Sequence, residues 1–400
     1  MEHSRARAAQ SKIGLIVLAY VAFIALGLPD GLMGVAWPSI QSNFGLPLDA
    51  LGLLFITSTA GYLVSSFLSG QFIARLGIGG VLAASCALTG LSLTGYTLAP
   101  GWGTIVALGV FSGFGAGAID AGLNTYVAAN FEAGLMQWLH ASYGIGVTLG
   151  PMIMTASLNL YDSWRLGYRV VSFAQLALAG CFFLTLSLWQ RGGDASPDPQ
   201  AGRITDYRTP LGQTLHQPAV WLSLALFFLY TGAEITLGAW AYTLLTQSRA
   251  IPSQTAGLVA GSYWAMFTIG RVLAGLYTRR IPGHTLLRVC ILAALLGVGL
   301  LWWNPSDFAS LLGVAITGFA IAPIYPGLVS GTPERVGDAH AANTIGMQVA
   351  VAGLSAAILP GLAGVIARRV SLEALPPYLF ALFALLLATY FVAMRRPVRP

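Results

Sequence analysis

Residues 191–217 read RGGDASPDPQAGRITDYRTPLGQTLHQ, the one long polar stretch in a chain of 400 residues. Its proline, glycine and charged residues cannot be buried in lipid and have too little apolar content to build a core. Everything on either side is different. The chain is 56% hydrophobic and 8% charged, whereas a soluble domain carries roughly a quarter charged residues. So few charges cannot cover a water-facing surface.

A hydrocarbon layer about 30 Å thick takes about 20 apolar residues per helix. Before the polar stretch, segments 13–38, 49–71, 80–99, 103–127, 136–158 and 168–189 meet that length; after it, 218–246, 254–277, 284–303, 307–331, 340–366 and 376–394 do so. Turns with Gly, Pro or polar residues separate them. The expectation is an all-α membrane protein of twelve transmembrane helices, in two six-helix bundles over 1–190 and 218–400 joined by a linker, 191–217.

An even number of crossings puts both termini on one side, and the excess of Lys and Arg marks the cytoplasmic one. Of the 20 basic residues, only Arg165, Arg169, Arg249, Arg368 and Arg369 fall on the other side. Both termini and the linker are therefore expected in the cytoplasm, with the chain in the cell (inner) membrane. The net charge of +6 is scattered among apolar runs and gathers on no face, which argues against nucleic acid as a partner. The expected partners are the lipid bilayer and a small solute, and the protein is expected to be a monomer. Cys86, Cys181 and Cys290 each sit alone inside an apolar run. They read as packing residues, with neither metal-ligand spacing nor a disulfide framework.

The halves repeat. At a shift of 205, Gly52, Gly70 and Arg75 fall on Gly257, Gly275 and Arg280. In the fourth helix, Ser112-Gly113-Phe114, Ile119, Gly122 and Leu123 fall on Thr317-Gly318-Phe319, Ile324, Gly327 and Leu328 of the tenth. One residue off that register, Asp30 and Gly34 correspond to Glu234 and Gly238. A common shift in three helix pairs indicates an internal repeat, and an even helix number per half makes it parallel.

That plan resembles the major facilitator superfamily over the whole chain. The resemblance implies alternating access, with a solute site near the midplane at the interface of the two bundles. The loop Gly70-Gln71-Phe72-Ile73-Ala74-Arg75-Leu76-Gly77 is similar to the superfamily's Gly-x-Leu-x-Asp-Arg-x-Gly signature, with Ala74 at the acidic position. It implies gating roles for Arg75 and Gly77, and for Arg271 of the Gly270-Arg271 pair in the eighth helix. A closer likeness is to the fucose/proton symporters and related sugar permeases. Gly115-Ala116-Gly117-Ala118-Ile119-Asp120-Ala121-Gly122-Leu123-Asn124 is similar to their Gly-x-Gly-x-x-acid-x-x-x-Asn, and Ile324-Tyr325-Pro326 to their Gln-Tyr-Pro. His140 and Tyr143 stand where that family has polar cavity residues. With them, the candidate solute contacts are Asn124, Trp240, Tyr263, Tyr325 and Gln348. Aromatic walls with a few polar groups suit a small-molecule pocket. Trp37, Trp102 and Trp303, near helix ends, read instead as interfacial anchors.

Asp30, Asp120 and Glu234 lie well inside apolar helices. A charge at the helix centre costs about 2.5–3.5 kcal/mol on insertion scales, so such residues face protein or water and serve function by default. A carboxyl group loaded with a proton on one side and emptied on the other is the simplest coupling device. Asp120 is the first choice for it, since it shares a face with Asn124 four residues on. Asp30 follows Pro29, where a kink is expected. Glu234 reads as a second proton site, a sodium ligand, or the counter-charge of a cationic solute.

The function expected is secondary active transport driven by an ion gradient, H+ first and Na+ second, with no bound cofactor or metal. Proton symport of a sugar-like solute leads, and antiport of an amphipathic or cationic compound follows. No Gly-x-x-x-x-Gly-Lys-Ser/Thr loop is present for ATP. A membrane-embedded enzyme pairing His140 with a buried carboxylate lacks a nucleophile motif and a metal cluster, and a nutrient sensor on the same fold is the remaining class.

Overall fold

The structure, a computed structural model, describes residues 2–130, 133–189, 209–277 and 281–394. Most of the linker, with Arg191, Arg203 and Arg208, lies outside them, as do Arg279, Arg280, Arg395, Arg396, Arg399 and the His140 side chain.

Each of the twelve apolar segments forms helix, and no strand occurs among the described residues. With no water in the hydrocarbon, each segment must satisfy its own backbone N–H and C=O groups, and the helix does so. The first helix is Glu2–Phe44, running on through Pro29 and Pro38. The second and third are Leu51–Leu98, broken at Gly77, where φ is +68°. Only glycine enters that region without strain, so the last residue of the signature loop is where the chain turns. The fourth to sixth are Trp102–Asn130, Ala133–Tyr161 and Trp164–Leu184. The seventh to ninth are Pro218–Thr243, Ser253–Tyr277 and Gly283–Trp303. The eleventh and twelfth are Asp338–Arg369 and Leu375–Met394. Among the described residues, nine stretches are long and apolar enough on their own to cross a membrane.

The tenth segment departs from the single run expected over 307–331. It stops at Ile321 and resumes as Ile324–Ser330. Pro323 and Pro326, three residues apart, take two N–H donors from one turn, and the ladder lapses there.

By contact the chain forms two compact units. One comprises Met1–Phe44 and Ile56–Ser196, and the other Gly45–Phe55 and Pro197–Pro400. Inside each unit, helices meet backbone to backbone at glycines. In the first, a Cβ on Gly113 would stand 1.9 Å from the carbonyl oxygen of Ser58. In the second, a Cβ on Gly318 would stand 2.3 Å from that of Tyr263. Ser58 and Tyr263 are themselves 205 residues apart, so the repeat seen in the letters is a repeat of contacts. A second contact keeps its place while the glycine changes helix. Gly117 lies against Ser65, whereas at the corresponding place Gly270 lies against Ala322, with 2.4 and 2.8 Å left for a Cβ.

Three of the five basic residues that break the charge bias are paired within their units. Arg249, its side chain 4% exposed, grips Glu373 with two nitrogens at 3.0 and 2.8 Å and also reaches Ser310 Oγ and the Leu301 carbonyl. Arg368 meets both oxygens of Asp49 at 3.1 and 3.0 Å. Arg165 donates to Asn43 Oδ1 at 2.7 Å and lies over the Trp164 ring. Two expectations are corrected. Cys181 is exposed on the outside of its helix, unlike the buried Cys86 and Cys290. Trp37 is fully buried against Trp102, ring centres 5.4 Å apart, and anchors nothing at an interface.

Overpacking a tight contact costs about 1–3 kcal/mol. Gly113→Ala and Gly318→Ala should each lower stability by that amount and bring the thermal unfolding midpoint down with it. Gly70→Ala, whose Cβ meets nothing within 4 Å, should not; a differential thermal melt in detergent checks all three.

Candidate functional site

The three acids of the apolar helices stand in two settings. In the first unit, the first and fifth helices are pressed together at Gly27, Gly31, Gly146 and Gly150, where a Cβ would strike opposing backbone. That contact sets Tyr143 beside Asp30, and the phenol donates to Asp30 Oδ2 at 2.7 Å. Asp30 is exposed although it is deep in an apolar helix.

Asp120, on the fourth helix, is held on both oxygens. Tyr62 of the second helix donates its hydroxyl to Oδ2. Asn124 donates to Oδ1 at 2.8 Å, and the same Nδ2 reaches the Asp120 carbonyl at 2.9 Å. The four-residue spacing read from the sequence puts acid and amide on one face. Asp30 and Asp120 are close enough for their charges to interact.

In the second unit Glu234 is 9% exposed. Tyr263 donates to the Glu234 backbone carbonyl at 2.8 Å. Tyr230, one turn before Glu234 on the same helix, interacts with its carboxyl group, and Arg271 of the eighth helix attracts its charge. The Arg271 guanidinium lies over the Phe267 ring, 4.2 Å from its centre, a cation held by an aromatic face. Tyr325, just past the break in the tenth helix, packs its ring on Phe227 and Tyr230 at 5.1 and 6.1 Å.

The described fold, with acids sunk in apolar helices of two repeat-related units, matches one family in sequence. The profile of the Major Facilitator Superfamily covers residues 19–360, and again 222–400. The chain belongs to the Major Facilitator Superfamily. It is a multi-pass membrane transporter, not an enzyme. The yeast protein "Bypass of stop codon protein 6" (Saccharomyces cerevisiae) is 23% identical over 92% of this chain and 80% of its own. The mouse "Sodium-dependent glucose transporter 1A" (Mus musculus) is 23% identical over 78% of this chain and 80% of its own. The "Glucose/mannose transporter GlcP" of Bacillus subtilis is 20% identical over 78% of each. Among solved structures, a point mutant of the nucleoside transporter NupG superimposes with a TM-score of 0.77 at 13% identity, covering 94% of this chain and 98% of that one. The proton:xylose symporter XylE gives 0.69 at 14% identity, covering 96% of each. At such identities the structural likeness shows the fold of the superfamily.

The remaining sequence candidates are placed as follows. Trp240 and Tyr263 are 1% and 0% exposed, Trp240 donating its indole N–H to the Pro360 carbonyl at 3.0 Å. Gln348 is fully buried and donates to Ser223 Oγ at 2.8 Å. It shares that hydroxyl with Arg335, which is 5% exposed and also bonds Thr332 Oγ1 at 3.1 Å and the Leu328 carbonyl. Arg75 is exposed on the turn that ends at Gly77. Tyr62, Tyr230 and the Arg335 network were not singled out from the sequence. Tyr230 had a signal, its spacing of four from Glu234 on one helix face. Tyr62 had none, because only the contacts of Gly113 and Gly117 with the second helix bring it to Asp120.

The two settings differ in access, which a thiol reads directly. In a background without native cysteines, Asp30→Cys should react readily with a water-soluble maleimide. Glu234→Cys should react at least ~10-fold more slowly, since it waits on local opening.

Proposed function

We propose that this transporter moves a sugar-like solute by symport with protons, and that Asp120 carries the proton. The observation that carries the reading is the Asp120 carboxylate, set mid-helix in an apolar segment and accepting hydrogen bonds from Tyr62 and Asn124. A carboxylate held by hydrogen bonds inside an apolar segment can be loaded by a proton and emptied again. The three structural roles in such a cycle are a proton carrier, a solute contact and a gate. Asp120 is the first, with Asp30 and Glu234 as further coupling groups. Asn124, Tyr143 and Tyr325 are the solute contacts, and Arg75, Gly77 and Arg271 the gating residues. The sugar class is supported by the names of two relatives, a sodium-dependent glucose transporter and a glucose/mannose transporter. Coupling to protons rather than sodium is supported by the place of the Asp120 carboxyl group inside an apolar segment and by the fold's likeness to a proton:xylose symporter. The chain would lie in the cell membrane with both termini cytoplasmic.

D-glucose uptake into proteoliposomes tests this. A pH gradient, acid outside, should drive accumulation in the wild type, and a sodium gradient at uniform pH should not. Asp120→Asn should bring accumulation down to the level of empty vesicles while leaving exchange of labelled for unlabelled glucose. Accumulation by the Asn variant equal to wild type would end the case for Asp120, and accumulation driven by sodium alone the case for protons.

A further inference from the structure

The tenth helix is interrupted after Ile321, and the carbonyl oxygen of that last residue accepts the hydroxyl of Tyr230 at 3.0 Å. Ile321 and Tyr230 are both 0% exposed, so no bulk water can replace this bond, and a buried carbonyl left without a donor costs free energy. Tyr230 and Glu234 are four residues apart on the seventh helix and share a face, and the phenol interacts with the Glu234 carboxyl group. One phenol therefore stands between an acid and the break in a neighbouring helix.

A phenol has a single hydrogen to give. An ionised Glu234 can only accept, and a bond to a charged acceptor is roughly twice as strong as one to a neutral carbonyl. The phenol hydrogen then turns to the carboxylate and the Ile321 carbonyl loses its donor. A protonated Glu234 gives its own O–H to the phenol oxygen, which frees the phenol hydrogen for Ile321. One proton arrives from water, none leaves the phenol, and the hydrogen bonds in the chain rise from one to two. We propose that Tyr230 is a positioning residue that relays the protonation of Glu234 to the break in the tenth helix, tightening it when the acid is loaded and loosening it when the acid is empty.

The neighbouring groups are compatible with this division. From the eighth helix, Tyr263 spends its hydroxyl on the Glu234 backbone carbonyl at 2.8 Å, so it does not compete for the carboxyl oxygens. Arg271 attracts the charge, yet its guanidinium lies over Phe267 and its Nε has no hydrogen-bond partner among the described residues. From beyond the break, Tyr325 meets Tyr230 by its ring. The relay thus joins the acid to the segment that carries Ile324-Tyr325-Pro326. It deepens the proton-coupled reading above and rests on it, adding an unassigned residue and a route by which a proton alters backbone.

Hydrogen–deuterium exchange of the purified protein, without solute or gradient, tests it through peptides covering 319–330. After correction for intrinsic rates, wild-type exchange should be about fivefold slower at mildly acidic than at mildly alkaline pH, the worth of one hydrogen bond. Glu234→Gln, whose amide donates as the protonated acid does, should be slow at both. Tyr230→Phe should be fast at both, while its thermal melt shows an intact fold. Equal exchange at both pH values in the wild type, a pH response surviving in Tyr230→Phe, or fast exchange in Glu234→Gln would each overturn the relay. Asp120→Asn should keep the wild-type pH response, so gradient-driven uptake that survives in that variant is a failure of the transport reading and leaves the relay standing.

Discussion

Close approach of backbones is the constraint on which the rest of this protein depends. Apolar side chains gain nothing by leaving lipid for another helix, so membrane helices associate through packing, and small residues let them come near. Here the glycines that permit the approach also set the register of the polar chemistry. Gly113 and Gly117 lie against Ser58 and Ser65 of the second helix, and Tyr62 falls between those two contacts, within reach of Asp120. Gly27 and Gly31 lie against the fifth helix around Tyr143, the donor of Asp30. A slip of one residue at either contact would carry the donor away from its acid and cost that hydrogen bond.

The two units share this packing and diverge in chemistry. At the 205-residue shift, Asp120 corresponds to Tyr325, Tyr62 to Phe267 and Tyr143 to Gln348. The positions of the acid and phenol of the fourth and second helices are thus both aromatic in the tenth and eighth. The acid of the second unit sits on the seventh helix instead, buried among Tyr230, Tyr263 and Arg271. Identical contacts with different side chains are what a duplicated scaffold allows, because a glycine contact constrains the backbone and leaves neighbouring positions on the same face free to change. The two acids of the first unit, held by Tyr143 and by Tyr62 and Asn124, and the one enclosed acid of the second beside a cation are suited to different tasks in one cycle.

Membership of the Major Facilitator Superfamily settles the scaffold and the class of activity, and little more about the solute. Relatives at 20–23% identity share helix packing far more than pocket chemistry, since function resides in site residues grafted on a common fold. The buried Arg335–Ser223–Thr332–Gln348 network and the Arg249–Glu373 pair are examples of polar groups that a membrane protein must satisfy internally wherever they occur. Their presence in an apolar chain is a matter of backbone and charge compensation, and it explains why several basic residues fall where topology alone would not put them.

The number and placement of helices, the internal repeat, and the three acids inside apolar segments were all legible in the sequence, because each follows from local composition and from one shift applied along the chain. Asn124 beside Asp120 was legible too, since helical periodicity puts residues four apart on one face. The partners across helices were not. Tyr62 with Asp120, Tyr143 with Asp30 and Tyr230 with Ile321 are 58, 113 and 91 residues apart, and no local period links them. Nor was the break after Ile321 expected, although the prolines that cause it were in plain view, because an apolar run of the right length reads as one helix. Only the packing of helices against one another decided which acid lies open, which is enclosed, and which phenol stands between an acid and a broken helix; that packing is a sum of many weak contacts over distant parts of the chain.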